Sequence, residues 1–154
     1  MVRRIARRRE KRFPNLVASG YKKTSDETST YNCLAWAVGD TTKWWQPNSV
    51  EPGHWWPPLA PAGPQVEIYA QALETLRFKR CQKPRWEKGV LTIALFTKPN
   101  GHFAHAAKLL ANGKWSSKLG DWEDITHNTL AALESDGTRE AYGKVAIYLR
   151  KRIR

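Results

Sequence analysis

Apolar side chains recur at intervals of three and four residues across the segment 65–80. Such intervals place the side chains on one face of an α-helix. Pro64, just before this segment, suits a helix start because proline needs no amide partner there. The pattern therefore predicts an amphipathic helix, whose apolar stripe consists of Val66, Ile68, Tyr69, Ala72, Leu73 and Leu76.

A shorter apolar segment, 34–38, is bounded by residues that are typical of helix ends. The side chain of Asn32 can cap a first turn, and Gly39 is of the residue type that most often follows a last turn. The sequence thus predicts a short helix with Cys33 in its first turn.

Four segments predict strands, of which the first is a β-rich apolar run and the next two are identified by the turns beside them. Asn112-Gly113 has the turn chemistry of a hairpin between the second and the third of them. Because the strands follow one another through short turns, we expect a mostly antiparallel sheet and an α+β fold, with the Cys33 helix packed on the sheet. The predicted strands are 90–97, 103–110, 114–118 and 144–149.

The segment 43–64 contains four tryptophans and six prolines. This proline content excludes a helix or a central strand, and a loop of this length is usually either functional or disordered. The tryptophans favour a long ordered loop. Its role stays open between filling space, lining a substrate groove and stacking on bases or sugars.

The net charge of +12 is concentrated near the two ends of the chain. Residues 1–12 carry a net +6 and the last five residues a net +4, so the stretch 13–149 is only +2. A nucleic-acid-binding domain usually spreads its charge over a folded face. We therefore interpret 1–12 as a basic tail before a single domain over 13–151, and expect any nucleic-acid contact to be weak and made by the tails.

Several classes of protein are excluded by what the sequence lacks. No run of about 18 apolar residues is present, which excludes a membrane span. The arginine-rich start has no apolar segment typical of a secretory signal, and two cysteines cannot form a disulfide framework. These features favour a cytoplasmic protein, with export by a signal-independent route left open.

Cys33 is the first candidate for chemistry. In the first turn of a helix, the partial positive charge of the backbone lowers the pKa of a thiol and favours the nucleophilic thiolate. Backbone N–H groups at the same place can stabilise an oxyanion. The alternative is a small buried residue on an apolar helix, since cysteine is among the most buried residue types.

His105, on the second predicted strand, is the base that a cysteine nucleophile needs. We expect its imidazole to lie within hydrogen-bond reach of Cys33; the alternative is a core histidine among alanines. His102 lies three residues earlier, where strand alternation places it on the opposite face. The spacing of the histidines matches no metal-binding motif, so no metal is expected.

The segment from His105 to Trp115, HAAKLLANGKW, resembles the strand–turn–strand of NlpC-type, papain-like cysteine peptidases. In that family a catalytic histidine begins one strand, and a polar residue twelve positions later orients it from the next strand. The resemblance therefore implies a papain-like fold in which Ser117 orients His105. The cysteine motif departs from the family, which typically carries Asp-Cys-Ser-Gly where this chain has Asn32-Cys33-Leu34-Ala35.

Six short motifs lie between residues 13 and 151: FPNL, YNCLAWA, HAA, WSSKLG, EDI-x-H and YG. Together they resemble a small bacterial family of uncharacterised domains. The motifs centre on Cys33 and His105, so this resemblance implies a site without naming a substrate. It is compatible with a bacterial toxin or effector that has a cognate inhibitor.

The group that would orient His105 is left open by the sequence. Besides Ser117, the candidates are Asp121, Glu123 and Asp124, which follow the third predicted strand. Asp124 is also predicted to cap a short helix over 124–134. His127 would then lie in the first turn of that helix as a structural residue.

Taken together, these residues predict a cysteine-dependent hydrolase that cleaves an amide or peptide bond through a thioester. Cys33 is the expected nucleophile and His105 the expected base, and Ser117 or a nearby carboxylate orients the imidazole; no metal or organic cofactor is implied. The alternative is a non-enzymatic interaction module whose basic tails and aromatic side chains hold nucleic acid. Convergence of Cys33 and His105 distinguishes the two.

Overall fold

Nine short strands provide most of the regular structure in residues 4–135 and 141–153, the part of the chain that the computed structural model describes. They are β1 (Tyr21–Ser25), β2 (Trp44–Trp45), β3 (His54–Trp55), β4 (Lys79–Cys81), β5 (Val90–Thr97), β6 (Phe103–Leu109), β7 (Trp115–Lys118), β8 (Asp124–His127) and β9 (Lys144–Arg152). Seven of them form one sheet in the order β1-β8-β7-β6-β5-β9-β4, with antiparallel neighbours throughout. The α+β fold and the mostly antiparallel sheet are therefore confirmed.

The helices of the described residues are short. They are α1 (Arg7–Glu10), α2 (Pro14–Ser19), α3 (Cys33–Val38) and α4 (Val66–Thr75), followed later by one 3₁₀ turn (Leu130–Leu133). In α3 both predicted ends are confirmed, since the Asn32 side chain accepts from the Ala35 amide and Gly39 adopts a left-handed conformation. None of these helices, within the described ranges, is long and apolar enough to cross a membrane.

The long helix ends earlier than its apolar stripe predicts. Arg77 has a φ of 73° and turns the chain, which brings Phe78 back into the core beside Leu73. The residues that follow then pair with β9 as β4. The apolar pattern predicts helix up to residue 80, but pairing with β9 makes residues 79–81 a strand instead.

The predicted helix over 124–134 is wrong. Asp124 begins the strand β8, which pairs with β1 on one side and β7 on the other. The backbone N–H and C=O groups of β8 therefore form hydrogen bonds with two neighbouring strands and not within a helix. Thr129 caps the 3₁₀ turn that follows, with its hydroxyl accepting from the Ala132 amide.

Both faces of the sheet are covered. On the first face, α3 and α4 pack against a core that includes Leu95 and Ala106. On the second face, a core that includes Phe13, Phe96 and Ala107 packs under α2 and the 3₁₀ turn. Because successive strand residues point to opposite faces, Ala106 lies on the first face and His105, which contacts Phe96, on the second.

The basic segment 1–12 is not a detached tail in its described part. Ile5 and Glu10 are buried, and Arg9 reaches Glu123 with an N–O distance of 2.7 Å. These contacts join the segment to the predicted domain 13–151. Residues 1–3 of the segment and Arg154 lie outside the described residues.

The loop 43–64 is ordered, as predicted, and contains the parallel pair β2–β3. Trp45 is buried in the core of the first face. Its backbone carbonyl accepts from Asn32 Nδ2 at 2.7 Å, and its N–H donates to Asn32 Oδ1 at 3.3 Å. The residue that caps α3 therefore also holds the loop in place.

Candidate active site

Cys33 lies where two strands of the sheet separate. The pairing of β6 with β7 covers only Lys108↔Ser116 and Leu109↔Trp115, so the earlier residues of β6 have no partner in β7. Backbone hydrogen bonding at Ala106, in this unpaired stretch, acts on the Cys33 thiol. The first residue of α3 is therefore in contact with the strand that carries His105.

The expected lowering of the Cys33 pKa is wrong. Burial raises the pKa of this thiol to about 11, and hydrogen bonding at Ala106 offsets only part of the effect. Cys33 is 8% exposed. Desolvation of a thiolate at this depth outweighs the favourable field of a helix start, so the thiol is protonated near neutral pH.

His105 is fully buried between aromatic rings. Its imidazole stacks on Tyr142 with ring centroids 4.2 Å apart and an interplanar angle of 1°, and the edge of Phe96 lies 5.3 Å away. Neither ring nitrogen has a hydrogen-bond partner within residues 4–135 and 141–153. The expected hydrogen bond between Cys33 and His105 is thus not formed in this structure.

Burial also decides the protonation of His105. It lowers the pKa of the imidazole well below the ordinary value, and His127 adds to this effect. The resting site consequently holds a neutral imidazole and a neutral thiol. A thiolate–imidazolium pair would have to form during a reaction.

Ser117 contacts a different histidine from the one predicted. Its Oγ lies 2.7 Å from Nε2 of His127, whose Nδ1 lies 2.8 Å from the Thr129 carbonyl. A carbonyl only accepts, so Nδ1 carries the proton and Nε2 accepts from the Ser117 hydroxyl. Burial lowers the pKa of His127 to about 4.

None of the three carboxylates that were alternatives to Ser117 forms a hydrogen bond with His105. Asp121 is exposed, Glu123 is paired with Arg9, and Asp124 accepts from the hydroxyls of Tyr31, at 2.9 Å, and of Ser25. Within the described chain no carboxylate hydrogen-bonds to His105. Stacking on Tyr142 is what fixes the plane of its ring.

No group of three histidine, cysteine, aspartate or glutamate side chains in the described ranges is arranged to hold a metal ion. The chain matches, over residues 22–150, a family described as a domain of unknown function, DUF7689. The protein belongs to this family. No curated protein and no solved structure matches the chain.

The DUF7689 match contains Cys33, His105 and Ser117, whereas α1 and α2 precede it. The candidate site is therefore part of the family domain. Ile5 belongs to the core of the second face and Arg9 pairs with Glu123, so the segment before the match still packs on this domain.

Sequence reasoning missed Lys118 as a member of this region. The side chain is 0% exposed, and its ammonium donates to the carbonyls of Thr28, Gly120 and Trp122, each at 2.7 Å. Lys118 also lowers the pKa of Cys33 through its charge. The only signal was its position inside the otherwise apolar or small-residue run 115–119.

Proposed function

We propose that this DUF7689 domain is a cysteine-dependent hydrolase of amide or peptide bonds with a papain-like arrangement of Cys33 and His105. The observation that carries the proposal is the buried imidazole of His105, which has no polar partner in the described chain. Buried polar groups are nearly always hydrogen-bonded, so each exception needs an explanation. A base kept free to exchange a proton with substrate or nucleophile is such an explanation.

The position of this imidazole along β6 supports the same reading. His105 directly precedes Ala106, whose backbone hydrogen bonding acts on the Cys33 thiol. At rest α3 packs on the first face of the sheet and His105 lies on the second, so the reaction requires the end of β6 that has no partner in β7 to rearrange until the ring nitrogen meets the sulfur. Catalytic hydrogen bonds are often long in free enzymes and tighten only around substrate.

The pKa directions define how the reaction would begin. The thiol and the imidazole are both neutral at rest because burial disfavours each charged form. His105 therefore acts as a general base during attack, and no preformed thiolate is required. This differs from the ion pair that a helix start alone leads one to expect.

In the proposed reaction, a His105 ring nitrogen takes the Cys33 proton while the sulfur attacks the substrate carbonyl carbon. The oxyanion then reforms the carbonyl as the C–N bond breaks, and the leaving nitrogen takes the proton from His105. A water molecule next attacks the thioester and gives one proton to His105. The C–S bond breaks, the acid product leaves, and the sulfur regains its proton.

The test compares alkylation of Cys33 and Cys81 by iodoacetamide near pH 7, followed by peptide mass spectrometry. A small reagent is needed because Cys33 is only 8% exposed. We expect His105→Ala to slow alkylation of Cys33 by about 100-fold, the lower end of what a general base contributes. Cys81, which is half-buried and remote in sequence, reports that the rest of the fold is unchanged.

His102→Ala is the matched control, since it removes the same side chain three residues earlier on the β5–β6 turn. It should leave the Cys33 rate unchanged. Equal Cys33 rates in both variants would overturn the role of His105. Hydrolysis of acyl p-nitroanilides that is unaffected by Cys33→Ser would overturn the role of the nucleophile.

A further inference from the structure

A strongly basic groove lies beside β4, the edge strand at the opposite end of the sheet from β1. The groove has a volume of about 890 Å³. Cys81 lines it together with cations from the turn after α4, from β4 and from the end of β9. These cations are Arg77, Lys79, Arg80, Arg150, Lys151 and Arg152.

The pairing of β4 with β9 creates this groove. Lys79 is opposite Arg150, and Arg80 is opposite Leu149. The basic residues near 150, which form one end of the sequence, therefore lie beside basic residues of 77–80. Positive charge that is scattered along the chain is collected on one folded surface, as in nucleic-acid-binding domains.

The groove keeps an excess of positive charge after its ion pairs are counted. Glu87 pairs with Arg150 and Arg152 at 3.6 and 2.7 Å. Arg80 is held by Glu67 and Glu74 at 2.7 and 3.0 Å. Among the described residues, neither Arg77 nor Lys79 is within ion-pair distance of a carboxylate. The loop from 82 to 89, outside the groove lining, carries the further exposed cations Lys83, Arg85 and Lys88.

An exposed tryptophan directly precedes Glu87, the residue that ties the loop 82–89 to the groove. Trp86 is 43% exposed, and the neighbouring Glu87 ties its loop to Arg150 and Arg152. Charged side chains on an edge strand can simply prevent pairing with another sheet. That role explains cations on β4, but it does not explain an indole left open to solvent beside them.

We propose that this groove binds the sugar–phosphate backbone of single-stranded nucleic acid, with a base stacked on Trp86. Proteins that bind single strands without sequence preference combine a basic groove with aromatic side chains. The affinity then comes from this groove, which includes residues 150–152 of the basic C-terminal end, and not from the basic segment 1–12. Arg77, Lys79 and Trp86 contribute to it, whereas α1 does not.

The first test measures fluorescence anisotropy of fluorescein-labelled oligo(dT) and oligo(rU) across a salt titration. Arg77→Gln with Lys79→Gln removes two groove charges, and Arg7→Gln with Arg8→Gln removes two exposed charges of α1 as the matched control. We expect the groove variant to lower the salt slope by about 1.4, the value for two phosphate contacts on a single strand. Equal slopes in the two variants would overturn the proposal.

The second test addresses the base contact and the location. Trp86→Ala should weaken binding about tenfold, and Trp86→Phe should retain most of the affinity. Bound oligonucleotide should protect Cys81 from alkylation while Cys33 keeps its own rate. Three outcomes would each overturn the proposed ligand. Cys81 could stay unprotected when oligonucleotide is added, or duplex DNA could bind with equal affinity. The protein could also bind phosphatidylserine vesicles but neither oligonucleotide. Circular dichroism of each variant verifies the fold.

Discussion

The surroundings of Lys118 and of His105 differ in almost every respect except burial. Lys118, on the first face, donates three hydrogen bonds to backbone carbonyls. His105, on the second face, lies between the rings of Tyr142 and Phe96 without a polar partner in the part of the chain that the structure describes. Both side chains are 0% exposed.

The contrast separates the structural role of Lys118 from the role proposed for His105 better than burial does. The Lys118 ammonium is itself buried and donates to three partly buried carbonyls, so it joins the segments near residues 28 and 120. Neither ring nitrogen of His105 forms a hydrogen bond with the described residues. Its polar atoms cost stability where they are, which is typical of residues retained for activity.

The largest expected effect concerns Lys118. Lys118→Met keeps most of the side-chain volume but leaves the carbonyls of Thr28, Gly120 and Trp122 without a donor. We expect the free energy of unfolding in urea to fall by about 3–5 kcal/mol. Lys114→Met, on the β6–β7 turn, should change it by less than about 0.5 kcal/mol. Similar values for the two variants would contradict the structural role of Lys118.

A somewhat smaller effect should appear on acidification. The pKa of His127 is about 4 in the folded protein and about 6.5 when unfolded. Between these values the unfolded chain binds more protons, so stability falls as the pH decreases from about 6.5 to 4. Relative to His127→Gln, the native protein should lose about 3 kcal/mol between pH 7 and 4. Parallel stability curves would mean that His127 is not buried in its neutral form.

The smallest effect distinguishes the two buried histidines. His127→Leu leaves the Ser117 hydroxyl and the Thr129 carbonyl unpaired, whereas His105→Leu removes two nitrogens that have no partner in the described residues. From thermal denaturation, we expect the free energy of unfolding of His127→Leu to be about 2 kcal/mol lower than that of His105→Leu. The value for His105→Leu should stay within about 1 kcal/mol of the native protein. A reversed order would show that His105 has a partner in solution.

Local signals predicted the elements that lie near the candidate site. The run Val90–Thr97 is a strand with the predicted ends, because its apolar residues fit a sheet that is covered on both faces. The helix α3 begins and ends at its predicted caps. In both cases the information lies within a few residues of the element itself.

Contacts between distant segments were beyond sequence reasoning. Ser117 lies opposite Ile125 in the β7–β8 register, with His127 as the diagonal neighbour. That register decides which histidine receives the hydroxyl, and no local pattern encodes it. Likewise, the carbonyls that hold Lys118 come from a loop near residue 28 and a turn near 120. The pKa of Cys33 also depends on depth, which a helix start does not reveal.

The place of β9 in the sheet has a consequence for biosynthesis. This strand follows all the other described strands in the sequence, yet it lies between β5 and β4. While the chain emerges from the ribosome, β4 therefore has no neighbour and β5 keeps one open edge until β9 has been made. Open edges in nascent chains are prone to pair with other molecules. Lys79 and Arg80 give β4 two exposed positive charges, and charged side chains on an open edge oppose its pairing with other molecules.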